Sequence, residues 1–235
     1  MHAEPLPPVC ILAGGLGTRL GELVRDVPKP LLDVAGEPFL IHQLRLLANH
    51  GAREAVICIG YQGDKIESRI GRSQFGVRIT YSHGRPDGTL NAIRRALEIL
   101  PERFLVLYGD CYLRVDYQAA SRAWRESGLP ALMAVYRNEG RWDTSNVLYG
   151  RGRVIAHDKH SPTPEMHWID YGLGGLSAST LACVASDESD LAVLYSTLAR
   201  RGELCGYLAT ERFYEIGSPS ALAEAEAFLM EIQQP

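Results

Sequence analysis

At 235 residues the chain is about one and a half average domains long, enough to bury a substantial core. Its 46% hydrophobic and 22% charged residues sit near the globular mean, which excludes disordered, collagen-like and membrane-spanning classes. The formal net charge of -4 argues against a general binder of nucleic acid or anionic membranes, while leaving room for a local basic pocket.

In chain order, the opening MHAEPLPP has no basic n-region, and the apolar run 9–13 is too short for a secretory signal or a membrane span. Short runs of mostly β-branched or aromatic residues predict strands over 9–13, 55–59, 77–81 and 104–108. Between them, Leu40, Leu44 and Leu47 mark a helical face ended by Gly51, and Leu90, Ile93, Leu97 and Leu100 mark another stopped by Pro101. This alternation predicts βαβ units. After Asp110 the rhythm changes to one helix over 116–127, then strand-like pieces over 131–136, 146–149, 154–157 and 171–177. Asp187 is expected to cap a helix carrying Leu191, Leu194, Tyr195 and Leu198 on one face. Ser218-Pro219 should start the last helix, with Leu222, Ala225, Phe228 and Ile232 inward. Five cysteines, odd in number and without CxxC or zinc-ligand spacing, read as reduced thiols; with no leader evident, a cytoplasmic address is expected.

The chemistry-bearing residues begin where the first strand ends. In Gly14-Gly15-Leu16-Gly17-Thr18-Arg19 the glycines let backbone N–H groups approach a phosphate, Thr18 adds a hydroxyl and Arg19 can fork onto phosphate oxygens. The spacing is not that of a P-loop. A dinucleotide fingerprint would need a third Gly where Leu20 stands, and an acid ending the second strand, which excludes a dinucleotide-dependent oxidoreductase. Lys29, Lys65 and Lys159 are the three lysines among 24 basic residues, and Lys29 lies between two prolines that predict a stiff, extended segment.

The complete run LAGGLGTRL…PKPLLDVAGEPFL resembles the N-terminal signature of the sugar-1-phosphate nucleotidyltransferases, and further matches follow in family order from Val9 to Ala221. The resemblance implies that Leu12, Ala13, Gly14, Gly15, Gly17, Thr18 and Arg19 bind the nucleotide, and that Arg19 and Lys29 act on its phosphates in catalysis. The segment from Pro86 to Ile93 is similar to the family's PxGTAxAI loop, with Leu90 replacing Ala, and implies Pro86, Gly88, Thr89 and Asn91 on the base and ribose side. Tyr108-Gly109-Asp110 resembles the strand-GD motif, implying Gly109 at the nucleotide and Asp110 as a catalytic Mg²⁺ ligand. Glu215 falls where the family's second metal carboxylate, an Asp, normally stands. Val154 to Lys159 resembles the FxEKP strand. By that likeness Lys159 grips the sugar phosphate, Asp158 contacts the sugar, and Asp170 and Gly172 join that side from the segment matching NxG. His157, His160 and His167 read as polar loop residues without metal-ligand spacing.

The fold so implied is α/β: a Rossmann-like three-layer nucleotidyltransferase architecture with a mixed, mostly parallel sheet. One domain over 1–235 would hold a nucleotide-binding half at about 9–115 and a sugar-phosphate half at about 116–235. The implied reaction joins an NTP to a sugar 1-phosphate, giving an NDP-sugar and pyrophosphate, with Mg²⁺ as cofactor. The layout is similar to that of the short heptose 1-phosphate guanylyltransferases, so GTP with a heptose or mannose-type 1-phosphate is the expected pair. UTP, CTP or dTTP with another sugar 1-phosphate is the alternative, as is a catalytically silent nucleotide-sugar sensor. The expected partners are the two small substrates, with no nucleic acid and no membrane, and a homo-oligomer is compatible with the sequence. One helix after the last motif predicts a stand-alone enzyme.

Overall fold

The structure, a computed structural model, describes residues 6–233. Strand β1 (Val9–Leu12) leads into the glycine-rich turn, and a ribbon of β2 (Asp33–Val34) and β3 (Glu37–Pro38) turns the chain into α1 (Phe39–Asn49). Leu40, Leu44 and Leu47 of α1 are fully buried, as their spacing predicts. Then come β4 (Glu54–Ile59), α2 (Gly63–Ile70), the hairpin of β5 (Ser73–Gln74) and β6 (Val77–His83), α3 (Thr89–Ala96) and β7 (Arg103–Tyr108).

The later half holds β8 (Cys111–Tyr112), α4 (Tyr117–Ser127), β9 (Ala131–Arg137), β10 (Val147–Gly150), β11 (Arg153–His157) and β12 (Trp168–Ser177). It closes with α5 (Leu191–Arg200), β13 (Leu204–Ala209), β14 (Tyr214–Glu215) and α6 (Pro219–Gln233). The carboxylate of Asp116 caps α4 by accepting from the Ala119 N–H. Asp190, not Asp187, caps α5: its carboxylate accepts from the Ala192 N–H, while Glu188 satisfies the N–H groups of Ser189 and Asp190. Ser218 caps α6 as expected, through the Ala221 N–H. Along α6 the fully buried residues are Ala225 and Leu229; Ile232 is 49% exposed, because the last turn runs beyond the core.

Ten strands form one sheet in the order β10-β11-β13-β9-β12-β7-β1-β4-β6-β5. The β7-β1-β4-β6 block and the β9-β13 pair are parallel, and the other neighbour pairings are antiparallel. The sheet is therefore mixed rather than mostly parallel. The cause is the connections of the later half: β10 and β11 are joined by Arg151-Gly152, both at positive φ, and so tight a turn can only give antiparallel neighbours.

Alternation along the strands builds two cores. Val9 and Ile11 join the layer under α1, α2 and α4, whereas Cys10, Val56 and Cys58 join the layer under α3 and α5, which makes a helix–sheet–helix sandwich. Among the described residues no helix is long and apolar enough to cross a membrane.

Candidate active site

A third apolar cluster, under α6, contains Leu20, Leu32, Tyr112 and Ile216. Each lies one to three residues along the chain from a charged side chain, respectively Arg19, Lys29, Asp110 and Glu215, so packing of this cluster brings the four charges together. Asp110 leaves the end of β7, and the β8–β14 ribbon sets Glu215 opposite Cys111 while the Ile216 N–H donates to the Asp110 carbonyl at 3.0 Å. Lys29 Nζ donates to Asp110 Oδ2 at 2.5 Å, with the two side chains only 12% and 28% exposed. Pro28 is extended as predicted, but Lys29 opens a single 3-10 turn, Lys29–Leu31, with Pro30 in the position where its fixed φ suits a helix start.

Burial raises the pKa of Glu215 and the neighbouring Asp110 carboxylate raises it further, while Arg19 and Lys29 oppose both. Arg19 and Glu215 converge on Gly217, where a Cβ would stand 2.8 Å from Arg19 Nη2 and 3.1 Å from Glu215 Oε2 and would displace their tips. Two mutually repelling carboxylates with hard oxygen donors fit a divalent cation such as Mg²⁺. Among the described residues no third His, Cys, Asp or Glu completes a cluster with them, so the remaining ligands would be water and substrate oxygens.

Beside this group, a cavity of about 420 Å³ opens at the C-terminal ends of the parallel strands, where an α/β sheet places its binding crevice. Leu12, Ala13, Gly14, Gly15, Gly17, Thr18, Lys29, Pro86, Gly88, Thr89, Gly109 and Asp110 all line it. Arg19 lies instead at Glu215 and Gly217. Asn91 is not among the residues that line the cavity. Its Nδ2 donates to the Asp87 carbonyl and its Oδ1 accepts from Arg94, so the amide serves the first turn of α3. Gly88, at φ +114°, presses against Ser189, the Leu90 N–H donates to the Ser189 carbonyl at 2.8 Å, and Thr89 Oγ1 accepts from the Leu191 N–H. The 86–89 loop is thereby fixed to the entry of α5.

On the other side of Tyr108, the Asp170 carboxylate accepts from the Gly172 N–H at 2.9 Å. Burial raises the pKa of Asp170, and the charges of His157 and Lys159 pull it down, so the structure gathers these three. Lys159 itself is exposed, and the Asp158 carboxylate accepts from the N–H groups of His160 and Ser161, which spends that oxygen on its own turn. His157 is not a loop residue: it ends β11, is buried, and interacts with Ser196 of α5.

Two contributions were not read from the sequence. Gln43, buried on the apolar face of α1, donates through Nε2 to the carbonyls of Tyr108 and Cys111 at 2.9 and 2.7 Å, bracketing Gly109-Asp110. An amide within the otherwise apolar α1 face was the available signal. The second is the clamp on the loop after β6. Arg95 forks onto both Asp87 oxygens at 2.9 and 2.8 Å and donates to the Arg85 carbonyl, holding the Asp87 carboxyl below its usual range.

Comparison with known proteins agrees with this geometry. A family model described as Nucleotidyl transferase matches residues 9–143, more than half of the chain. The chain is 28% identical over 217 residues to the mannose-1-phosphate guanylyltransferase catalytic subunit beta of Drosophila pseudoobscura pseudoobscura, covering 89% of this chain and 58% of that protein. It is 34% identical over 138 residues to the D-glycero-alpha-D-manno-heptose 1-phosphate guanylyltransferase of Campylobacter jejuni, covering 58% of this chain and 62% of that one. The chain thus spans about three fifths of the length of these curated relatives. The crystal structure of HddC from Yersinia pseudotuberculosis complexed with GMP-PN superposes with a TM-score of 0.78 at 24% identity, over 95% of this chain and 100% of that one, a likeness of fold. With the glycine-rich turn, the Lys29–Asp110 pair and the matched span all inside one α/β sandwich, the chain belongs to the nucleotidyl transferase family.

Proposed function

We propose that this chain transfers a nucleotidyl group from an NTP to a sugar 1-phosphate, with GTP and a heptose or mannose-type 1-phosphate as the preferred pair. The observation that carries the reading is the convergence of Lys29, Asp110, Arg19 and Glu215 beside a cavity lined by a glycine-rich turn. The guanylyl preference rests on the mannose and heptose guanylyltransferases among the relatives. The single sheet running through both halves supports reading 1–235 as one domain, with 9–115 on the nucleotide and 116–235 on the sugar phosphate. Five free thiols support a reducing, cytoplasmic setting.

A phosphate monoester, with its second pKa near 6, is largely dianionic at neutral pH, so an oxygen of the sugar phosphate attacks the α-phosphorus without a general base. The new P–O bond forms as the bond to the β-phosphate breaks, and pyrophosphate leaves with the electron pair. Lys29 and Arg19 stabilise the charge that builds on the transferring and leaving groups, and the cavity holds the nucleotide in line. Asp110 and Glu215 would hold Mg²⁺, which when bound supplies charge neutralisation between the two substrates' phosphates. Lys159 and Asp170 are assigned to the sugar-phosphate side, with Asp158 supporting their turn.

The test is the rate of pyrophosphate release over four NTPs and a panel of sugar 1-phosphates. GTP should lead with a manno-configured heptose or hexose. If UTP, CTP or dTTP exceeds GTP in kcat/KM by tenfold, about 1.4 kcal/mol, the guanylyl assignment fails. If no pair releases pyrophosphate, the transfer itself fails.

A further inference from the structure

Among the cations lining the nucleotide cavity, Lys29 is paired with Asp110, and Arg95 is forked onto Asp87. Arg85 is different. It lines the same cavity, its side chain is exposed, and no hydrogen bond or ion pair of its guanidinium occurs among the described residues. Its backbone, in contrast, is fixed: Arg95 donates to the Arg85 carbonyl at 3.0 Å, and the Arg95 guanidinium occupies the space a Cβ on Gly84 would need. A planar fork of donors thus stands on an anchored backbone at the cavity wall; it feels the charge of Asp87, but both oxygens of that carboxylate are already held by Arg95.

The position within the sheet says which part of a nucleotide it meets. Lys29, Asp110 and the glycine-rich turn lie at the ends of β1 and β7, and the Arg85 loop leaves β6, separated from β1 by β4. Two strand spacings amount to about 10 Å, the reach from the phosphates of a bound nucleotide to its base. We propose that Arg85 is the specificity-determining residue for the nucleobase, and that it selects guanine. Arginine offers donors and no acceptor, in a fork suited to two neighbouring acceptors. Guanine presents O6 and N7 in that arrangement, whereas adenine sets an amino donor beside N7 and thymine or uracil separates its O2 and O4 by the N3–H donor. The inference rests on the nucleotidyl-transfer reading, and Arg85 lines the cavity whereas the Asn91 amide bonds within its own helix turn.

The experiment measures direct binding of GTP, 7-deaza-GTP, CTP and ATP to the wild-type chain and to Arg85→Ala and Arg85→Lys. Replacing N7 by carbon deletes one of the two acceptors and leaves the sugar and phosphates untouched. The wild-type protein should bind 7-deaza-GTP about tenfold or more weaker than GTP, the scale of losing half of a bidentate pair. Arg85→Ala should bind the two within twofold of each other, and Arg85→Lys should fall between. Undiminished preference for GTP over 7-deaza-GTP in Arg85→Ala overturns the assignment while leaving the proposed function standing. Equal weakening of all four nucleotides in that variant also overturns it, by making Arg85 a phosphate contact. A wild-type preference for CTP, whose O2 and N3 are also neighbouring acceptors, overturns guanine as the selected base. Binding of no nucleotide removes the proposed function and this assignment together.

Discussion

Lys29 and Asp110, 81 residues apart in the chain, meet at 2.5 Å with both side chains largely withdrawn from solvent. The pair links the turn after the glycine-rich segment to the end of β7, and it places a compact ammonium where phosphate oxygens would gather. Lys29→Ala should lower kcat by about 10² or more, on the order of 3 kcal/mol, because it removes charge stabilisation from the transition state. Lys29→Arg should not restore the rate, since a planar fork does not replace a point charge at this spacing. Steady-state turnover of purified variants with unchanged circular dichroism checks both, and near wild-type turnover in Lys29→Ala would remove the residue from the mechanism.

Asp110→Asn and Glu215→Gln should each abolish Mg²⁺-dependent turnover, since a neutral amide is a poor ligand for a hard cation. Glu215→Asp, shorter by one methylene, should retain part of it. A Mg²⁺ titration of initial rates reads the difference. Full activity in Glu215→Gln would move the second ligand elsewhere, and Asp170, a buried acid whose charge acts on Tyr108, is the first alternative.

Gln43 is argued to act through Asp110, by holding the carbonyls on either side of Gly109-Asp110. Gln43→Leu leaves two carbonyls without their donor and should cost about 1–3 kcal/mol of stability, measured by urea unfolding. At temperatures where the variant remains folded, kcat should fall while the KM for the NTP changes little. Loss of stability with kcat intact would make Gln43 a structural residue only.

The sequence makes the parallel block and the loops that line the cavity at its strand ends legible because both are local. An apolar run followed at once by glycines, or a Gly-Asp pair closing a strand, declares its geometry within a few residues. Less legible is what depends on partners far along the chain. The direction of β12 is set by its insertion between β7 and β9, and no residue within β12 encodes that it runs antiparallel to both. His157 falls at the end of the strand predicted over 154–157, but beside the polar Asp158 and His160 nothing signals its burial, which comes from α5, about 40 residues later. That the Asn91 amide bonds to Arg94 and to the Asp87 carbonyl is likewise not written in its own residue type.

His50, packed on the Tyr117 ring at 5.0 Å, has its pKa lowered by burial, with Asp116 partly opposing the shift. The folded state therefore takes up this proton less readily than the unfolded state, in which imidazole titrates near 6.5. Its contribution is fully present above that value and is lost as the pH falls through the lower folded pKa. Thermal midpoints measured between pH 8 and pH 5 should drop on acidification, and less so in His50→Gln. An equal drop in both proteins would assign the acid sensitivity to other groups.

Nucleotidyl transfer is tested most directly by following one reaction mixture of GTP, mannose or heptose 1-phosphate and Mg²⁺ by phosphorus NMR. The sugar phosphate carries ¹⁸O in the oxygen joining phosphorus to the anomeric carbon. The account predicts one pyrophosphate for each GDP-sugar formed, with the label retained beside the sugar, because the attacking atom is a different phosphate oxygen. Orthophosphate and GDP appearing in place of pyrophosphate, or a GDP-sugar that has lost the label, would contradict it.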